Sequence, residues 1–121
     1  MRSSRTVGAL GEQYASAVLE AEGYRIRARN FRSRFGEIDI IAVSETEVVF
    51  VEVKTRTRRS ATAPAEAVDR GKQHRICLTA EYYLAGQGRR DARLQPRFDC
   101  MEVYTDGEGC PIRFQHLKNI F

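Results

Sequence analysis

The chain has 121 residues, 42% of them apolar and 30% charged, and a formal net charge of +4. That length suits one domain, residues 1–121, with enough burial to build a core. The composition excludes a helical membrane protein, because no apolar run is long enough to cross a bilayer, and a disulfide-framed secreted miniprotein, because Cys77, Cys100 and Cys110 are odd in number and show no C-x-x-C pairing.

Met1-Arg2-Ser3-Ser4-Arg5 leads into a glycine-bearing helix and not into the apolar core of a signal peptide, so the expected location is the cytoplasm, with reduced thiols. The helix is predicted over residues 7–22, with Leu10, Tyr14, Val18 and Ala21 along one stripe and Gly23 capping its end. Glu12 lies near the edge of the apolar stripe, where it can look toward a sheet. As an acid in the first turn it would also complement the helix dipole.

Three strands follow, over 24–32, 37–43 and 47–55, read as an antiparallel meander. In the first, Arg25, Arg27 and Arg29 alternate with Tyr24, Ile26 and Ala28, giving a basic face and an apolar face. Arg32 and Arg34 extend the cluster, which reads as a solvated surface. Residues 56–63 are polar, basic and small, as in a loop, and Pro64 suits the first turn of a helix. Gly71 breaks or bends that helix before a longer segment, 72–86, whose packing face is Ile76, Ala80, Tyr83 and Leu84. Residues 86–91 form a loop and 97–104 a fourth strand. Asp106-Gly107-Glu108-Gly109 turns into a fifth, 112–117, where Ile112, Phe114 and His116 share a face. Ile120 and Phe121 dock the C-terminus. His74 and His116 lack partners at metal-ligand spacing and read as structural or surface residues.

Chemistry concentrates in Gly36-Glu37-Ile38-Asp39-Ile40-Ile41 and Val48-Val49-Phe50-Val51-Glu52-Val53-Lys54. Glu52 and Lys54 interrupt an apolar strand and point to the same face, roughly 7 Å apart. Asp39 can lie beside them if the two strands pair through the Ser44-Glu45-Thr46-Glu47 turn. Two acids and a lysine on one sheet face are the parts of a Mg²⁺ or Mn²⁺ site for phosphodiester hydrolysis: the carboxylates hold the cation, which activates water and stabilises charge on the phosphate, and the lysine fixes that water. Glu37 shares a strand face with Asp39 and reads as a rim charge. Lys54, Arg56, Arg58 and Arg59 form a basic cluster directly after the acids, placed to meet the phosphates of a nucleic acid.

These residues, with Gly8-Ala9-Leu10-Gly11-Glu12, Gly23-Tyr24, Arg29-Asn30-Phe31-Arg32, Pro64-Ala65-Glu66-Ala67-Val68, the segment 72–84 and Arg97-Phe98-Asp99, resemble the PD-(D/E)xK nuclease superfamily over residues 8–104. Within it the chain looks similar to the YraN family of small bacterial proteins, which resemble archaeal Holliday-junction resolvases. The chain departs from that pattern at Ala61-Thr62-Ala63, where such proteins often carry an aromatic-Gly pair. The resemblance implies an α/β, restriction-endonuclease-like fold: a central mixed sheet of four or five strands flanked by helices, in the order αβββαβ. It implies Asp39, Glu52 and the Val53 carbonyl as ligands of Mg²⁺ or Mn²⁺, with Glu12 assisting, and Lys54 as the residue that positions the attacking water. Lys72 and Gln73 stand where related nucleases often touch substrate or water, although each also reads as an ordinary helix-surface residue.

The reading is therefore a metal-dependent, structure-selective DNA endonuclease acting on branched DNA, as a homodimer if two symmetric cuts are needed. The alternatives are a nucleic-acid-binding module of the same fold without catalysis, and a purely structural charge network.

Overall fold

Ser3 opens the first helix: its hydroxyl accepts the Thr6 amide at 3.2 Å, an N-cap that satisfies one of the helix's unpaired donors. Helix α1 runs Ser4–Ala21, so Glu12 lies well inside it and not in its first turn. It ends in a Schellman motif, with Tyr24 N–H donating to Leu19 C=O and Gly23 N–H to Glu20 C=O, both at 3.0 Å. Gly23 supplies the left-handed residue this closure needs, with φ of 98°.

The remaining elements of this computed structural model, which describes residues 3–57 and 69–121, are strands β1 (Arg25–Ser33), β2 (Gly36–Val43) and β3 (Glu47–Thr57), helix α2 (Arg70–Ala85), a short 3-10 turn at Arg89–Asp91, and strands β4 (Gln95–Thr105) and β5 (Pro111–Leu117). Arg58, Arg59, the departure at residues 61–63 and the helix expected from Pro64 lie outside the described residues. Gly71, expected to break or bend a helix, sits in the first turn of α2. Asp69 caps that turn, its carboxylate accepting the Lys72 amide at 2.7 Å.

The five strands form one sheet in the order β1-β2-β3-β4-β5. β1–β2–β3 is the antiparallel meander expected; β4 returns parallel to β3 through the α2 crossover, and β5 closes the edge antiparallel to β4. The sheet is thus mixed and flanked by the two helices, an α/β architecture.

Alternation along Ile40–Val43 of β2 and Val48–Val51 of β3 sends side chains to both layers. Ile40, Ala42, Val49 and Val51 pack beneath α1 with Ala15 and Leu19, whereas Ile41, Val43, Val48 and Phe50 pack beneath α2 with Ala80 and Tyr83. Each of the buried Val, Leu, Ile and Phe side chains contributes roughly 1.5–3 kcal/mol, so the site is carried on strands packed from both sides. Gly11 lets α1 settle onto β3: a Cβ there would stand 2.1 Å from Thr55 Oγ1. Among the described residues no helix is long and apolar enough to cross a membrane.

The alternating arginine face expected on β1 is interrupted. A register shift between Ile26 and Ala28 leaves Arg27 as the extra residue of a bulge, and its guanidinium pairs with the buried Asp91 at 3.0 and 3.3 Å. His116 is structural: its Nε2 lies 2.7 Å from Asp99 Oδ2 and its Nδ1 3.3 Å from Glu22. Burial alone would raise the Asp99 carboxyl, but hydrogen bonds from His116, Arg97 and the Asn119 amide hold it below the usual range. The three cysteines form no disulfide with one another, and burial, with Glu52 and Glu102 nearby, pushes the Cys100 thiol up to about 12.

Candidate active site

β2 carries Asp39 at the point where it parts from β3. The two strands pair only from Val43↔Val48 to Ile40↔Val51, so the Val53 amide lies beyond the last ladder pair. The Asp39 carboxylate fills the gap, accepting the Val53 N–H at 2.8 Å.

The backbone is irregular at the same place. Ile38 packs in the layer under α2 and Ile40 in the layer under α1, although residues two apart on a regular strand share a face. On β1, between the pairs Arg29↔Ile40 and Phe31↔Ile38, Asn30 holds φ of 54°, a left-handed conformation that Asn tolerates better than most residues. The two strands change face together. Asp39 is thereby released from either core layer and stands at the split edge beside β3.

On β3, Glu52 and Lys54 continue the alternation of Val48 and Phe50 and so lie on the α2 side of the sheet. Glu52 Oε1 is 3.7 Å from Lys54 Nζ and accepts a hydrogen bond from Lys72 Nζ. Glu52 Oε2 is buried and has no hydrogen-bond partner among the described residues. The Asp69 cap fixes the first turn of α2 so that Lys72 reaches across to β3. Lys72 therefore rests its ammonium on Glu52 and lines the same cavity as Asp39 and Glu52. Gln73 is half-buried beside it in the same turn.

Burial is the main reason the Asp39 carboxyl is pushed up to about 6; the Val53 hydrogen bond opposes the shift, and the charges of Glu12, Glu52 and Glu37 add to it. Glu12 thus acts on Asp39 from α1, on the other layer, and Glu37 from the rim. Negative charge has been concentrated around a group that resists carrying it.

Arg56, expected among the phosphate contacts, is committed inward. Its Nε donates to Glu102 Oε2 at 2.7 Å, and Glu102, fully buried, also accepts the Tyr104 hydroxyl at 2.8 Å. Nothing in the local pattern announced this, because Glu102 reaches Arg56 only through the parallel β3–β4 register, which places Tyr104 beside Arg56 and Glu102 beside Lys54.

The residues present fit a divalent cation. Asp39 and Glu52 offer the hard oxygen donors that Mg²⁺ and Mn²⁺ prefer, and the partnerless Glu52 Oε2 is an acceptor that a cation would satisfy. Among the described residues no three Asp, Glu, His or Cys side chains converge as a complete cage, so water and substrate would have to complete the coordination, as is usual for Mg²⁺.

The family model described as "Uncharacterised protein family UPF0102" matches residues 11–103, from within the helix that bears Glu12 through most of β4. The chain belongs to the UPF0102 family. It is 42% identical to a UPF0102 protein of Caldanaerobacter subterraneus subsp. tengcongensis, covering 98% of this chain and 97% of that one. It is 47% identical to a UPF0102 protein of Symbiobacterium thermophilum, covering 98% of each, and 44% identical to one of Syntrophus aciditrophicus, covering 100% of this chain and 92% of that one. UPF0102 membership thus extends over the strands, helices and acids described above.

Proposed function

We propose that this chain is a Mg²⁺- or Mn²⁺-dependent endonuclease that hydrolyses a phosphodiester bond in branched DNA. The observation that carries the reading is the meeting of Asp39, Glu52 and Lys54 at the split between β2 and β3, with Glu52 Oε2 buried and partnerless among the described residues. Asp39, Glu52 and the Val53 carbonyl would hold the cation. When bound, it supplies charge neutralisation at the phosphate and a water acidified toward neutral pH.

The side chains supply the rest. Asp39 is oriented by the Val53 amide, so its second oxygen is left for a ligand. Lys54, close to Glu52, has its ammonium where it can donate to an attacking water and keep it in line with the phosphorus. Lys72 neutralises Glu52 in the metal-free protein and lies close enough to contact the phosphate once the carboxylate is engaged elsewhere. Glu12 adds negative potential from α1, which favours cation capture. Arg58 and Arg59 would meet the flanking phosphates. Two symmetric cuts in a four-way junction would require a two-fold dimer, and three cysteines that form no disulfide with one another suit a reducing cytoplasm.

One observation favours a second reading. The Lys72–Glu52 pair satisfies one carboxylate oxygen without any metal, as a non-catalytic nucleic-acid-binding module would also require. A cleavage panel of duplex, flap and four-way-junction DNA, with Mn²⁺ and with chelator, separates the two. Mn²⁺-dependent strand scission that favours the branched substrates is expected. Binding without scission in any metal would select the module.

A further inference from the structure

Asp39 and Glu52 line a cavity of about 330 Å³ whose walls also include apolar side chains that a cation does not require. Its floor is built from aromatic rings. Phe50 and Phe98 stack with centroids 5.3 Å apart and planes 25° apart, and Phe98 and Phe121 stack at 4.8 Å and 21°. Ile76 of α2 lines one side, with Lys72 and Arg75 from the same helix. The Ile120 amide donates to the Phe98 carbonyl at 2.8 Å, which holds the last residues of the chain against the floor.

Three features define what fits. The volume lies in the range of roughly 300–1,000 Å³ typical of small-molecule sites. Phe98 and Phe121, unlike the buried Phe50, are partly exposed and offer apolar ring surface of the kind on which nucleobases stack without regard to sequence. The cations Lys72 and Arg75 line the same cavity as the rings and the carboxylates, as a phosphate joined to the base would require.

We propose that this cavity receives the base of one unpaired nucleotide, adjoining the phosphate held at Asp39 and Glu52. The proposal rests on the nuclease reading above and names its substrate more closely. In an intact duplex both faces of every base are covered by their neighbours, so no base can enter. At a branch, flap or end the first unpaired base is free to swing onto the aromatic floor. Selection for opened DNA then comes from a pocket inside one protomer.

The test uses a blunt DNA duplex and the same duplex with a single-stranded tail, with 2-aminopurine at the first unpaired position. Ca²⁺ replaces Mn²⁺ so that binding is read without scission. The whole chain should bind the tailed DNA about tenfold more tightly than the blunt one, the loss expected when one base has no stacking surface, and should change the 2-aminopurine emission. Ile76→Trp fills the cavity without touching a carboxylate. It should abolish the preference and the emission change while calorimetric Mn²⁺ affinity stays at the wild-type value. If melting shows that Ile76→Trp does not fold, Phe121→Ala at the end of the chain removes one ring and should give the same loss. Equal wild-type affinity for the two DNAs, or an emission change that survives these variants, would overturn the cavity assignment while Mn²⁺ binding leaves the nuclease reading standing. Absence of both Mn²⁺ and DNA binding in the wild type would overturn both.

Discussion

The carboxylate of Asp39 accepts the backbone amide of Val53 at 2.8 Å, just past the last pair of the β2–β3 ladder. One contact does two jobs. It satisfies a donor that the diverging strand would otherwise orphan, and it fixes the orientation of an acid that shares its cavity with Glu52.

The same acid makes metal-free stability depend on pH. The folded-state value of Asp39, about 6, lies above its ordinary 3.8, so the folded protein holds this proton more tightly than the unfolded chain. The stabilisation is fully present below about pH 4 and is lost as pH rises through 6. In chelator, Asp39→Asn keeps an oxygen for the Val53 amide and removes the charge. It should raise stability at pH 7 by about 1–3 kcal/mol and flatten the profile between pH 4 and 6. Urea melts at a series of pH values measure both; a variant less stable than wild type at pH 7 contradicts the burial account.

Gly11 sets how closely the helix bearing Glu12 approaches β3. Gly11→Ala places a methyl group against Thr55 Oγ1 and should cost about 1–3 kcal/mol, as overpacking does. The double variant with Thr55→Ala should recover most of that loss. Chemical denaturation of the four proteins in the cycle checks the coupling.

Arg56 tests whether a basic residue beside the site serves substrate or fold. Removing it strands the fully buried Glu102, so Arg56→Ala should lose about 3 kcal/mol of stability and leave the salt dependence of DNA binding unchanged. A phosphate contact would instead lower the log–log salt slope by about one unit. Thermal melts and salt titrations of the same variant give both numbers.

Much of this architecture is legible in the sequence because Ile40–Val43 and Val48–Val51 alternate between two covered layers, and Gly23 marks a helix end. Asp39, Glu52 and Lys54 stand out as polar residues in otherwise apolar strands. What escapes is whatever depends on long-range register or on local irregularity. The turn of β2 at Asp39 is matched by Asn30, a residue whose left-handed backbone carries no unambiguous signal in one chain. Lys72 reaches Glu52 only because Asp69 starts the helix there, and Gly71, a helix breaker by propensity, is tolerated in the first turn. Arg27 reads as a solvated cation and Arg56 as a phosphate contact because their partners, Asp91 and Glu102, are 64 and 46 residues away.

Lys54 separates chemistry from architecture. Its ammonium is 3.7 Å from Glu52, too far for a hydrogen bond, and Lys72 also holds that carboxylate. Lys54→Ala should therefore melt close to wild type and bind Mn²⁺ and DNA normally, while single-turnover scission falls by at least a hundredfold, the scale of a positioned proton-transfer group. A large drop in melting temperature with scission retained would make Lys54 a structural partner of Glu52.

The central claim is that Asp39 and Glu52 share one cation. Calorimetric titration of the chain with Mn²⁺ at pH 7.5, beside Glu52→Gln and Asp39→Asn, tests it most directly. The account predicts one site per chain in the wild type, a matching rise in melting temperature by mass action, and loss of that site in each variant. A Mn²⁺ isotherm unchanged by either substitution would contradict it.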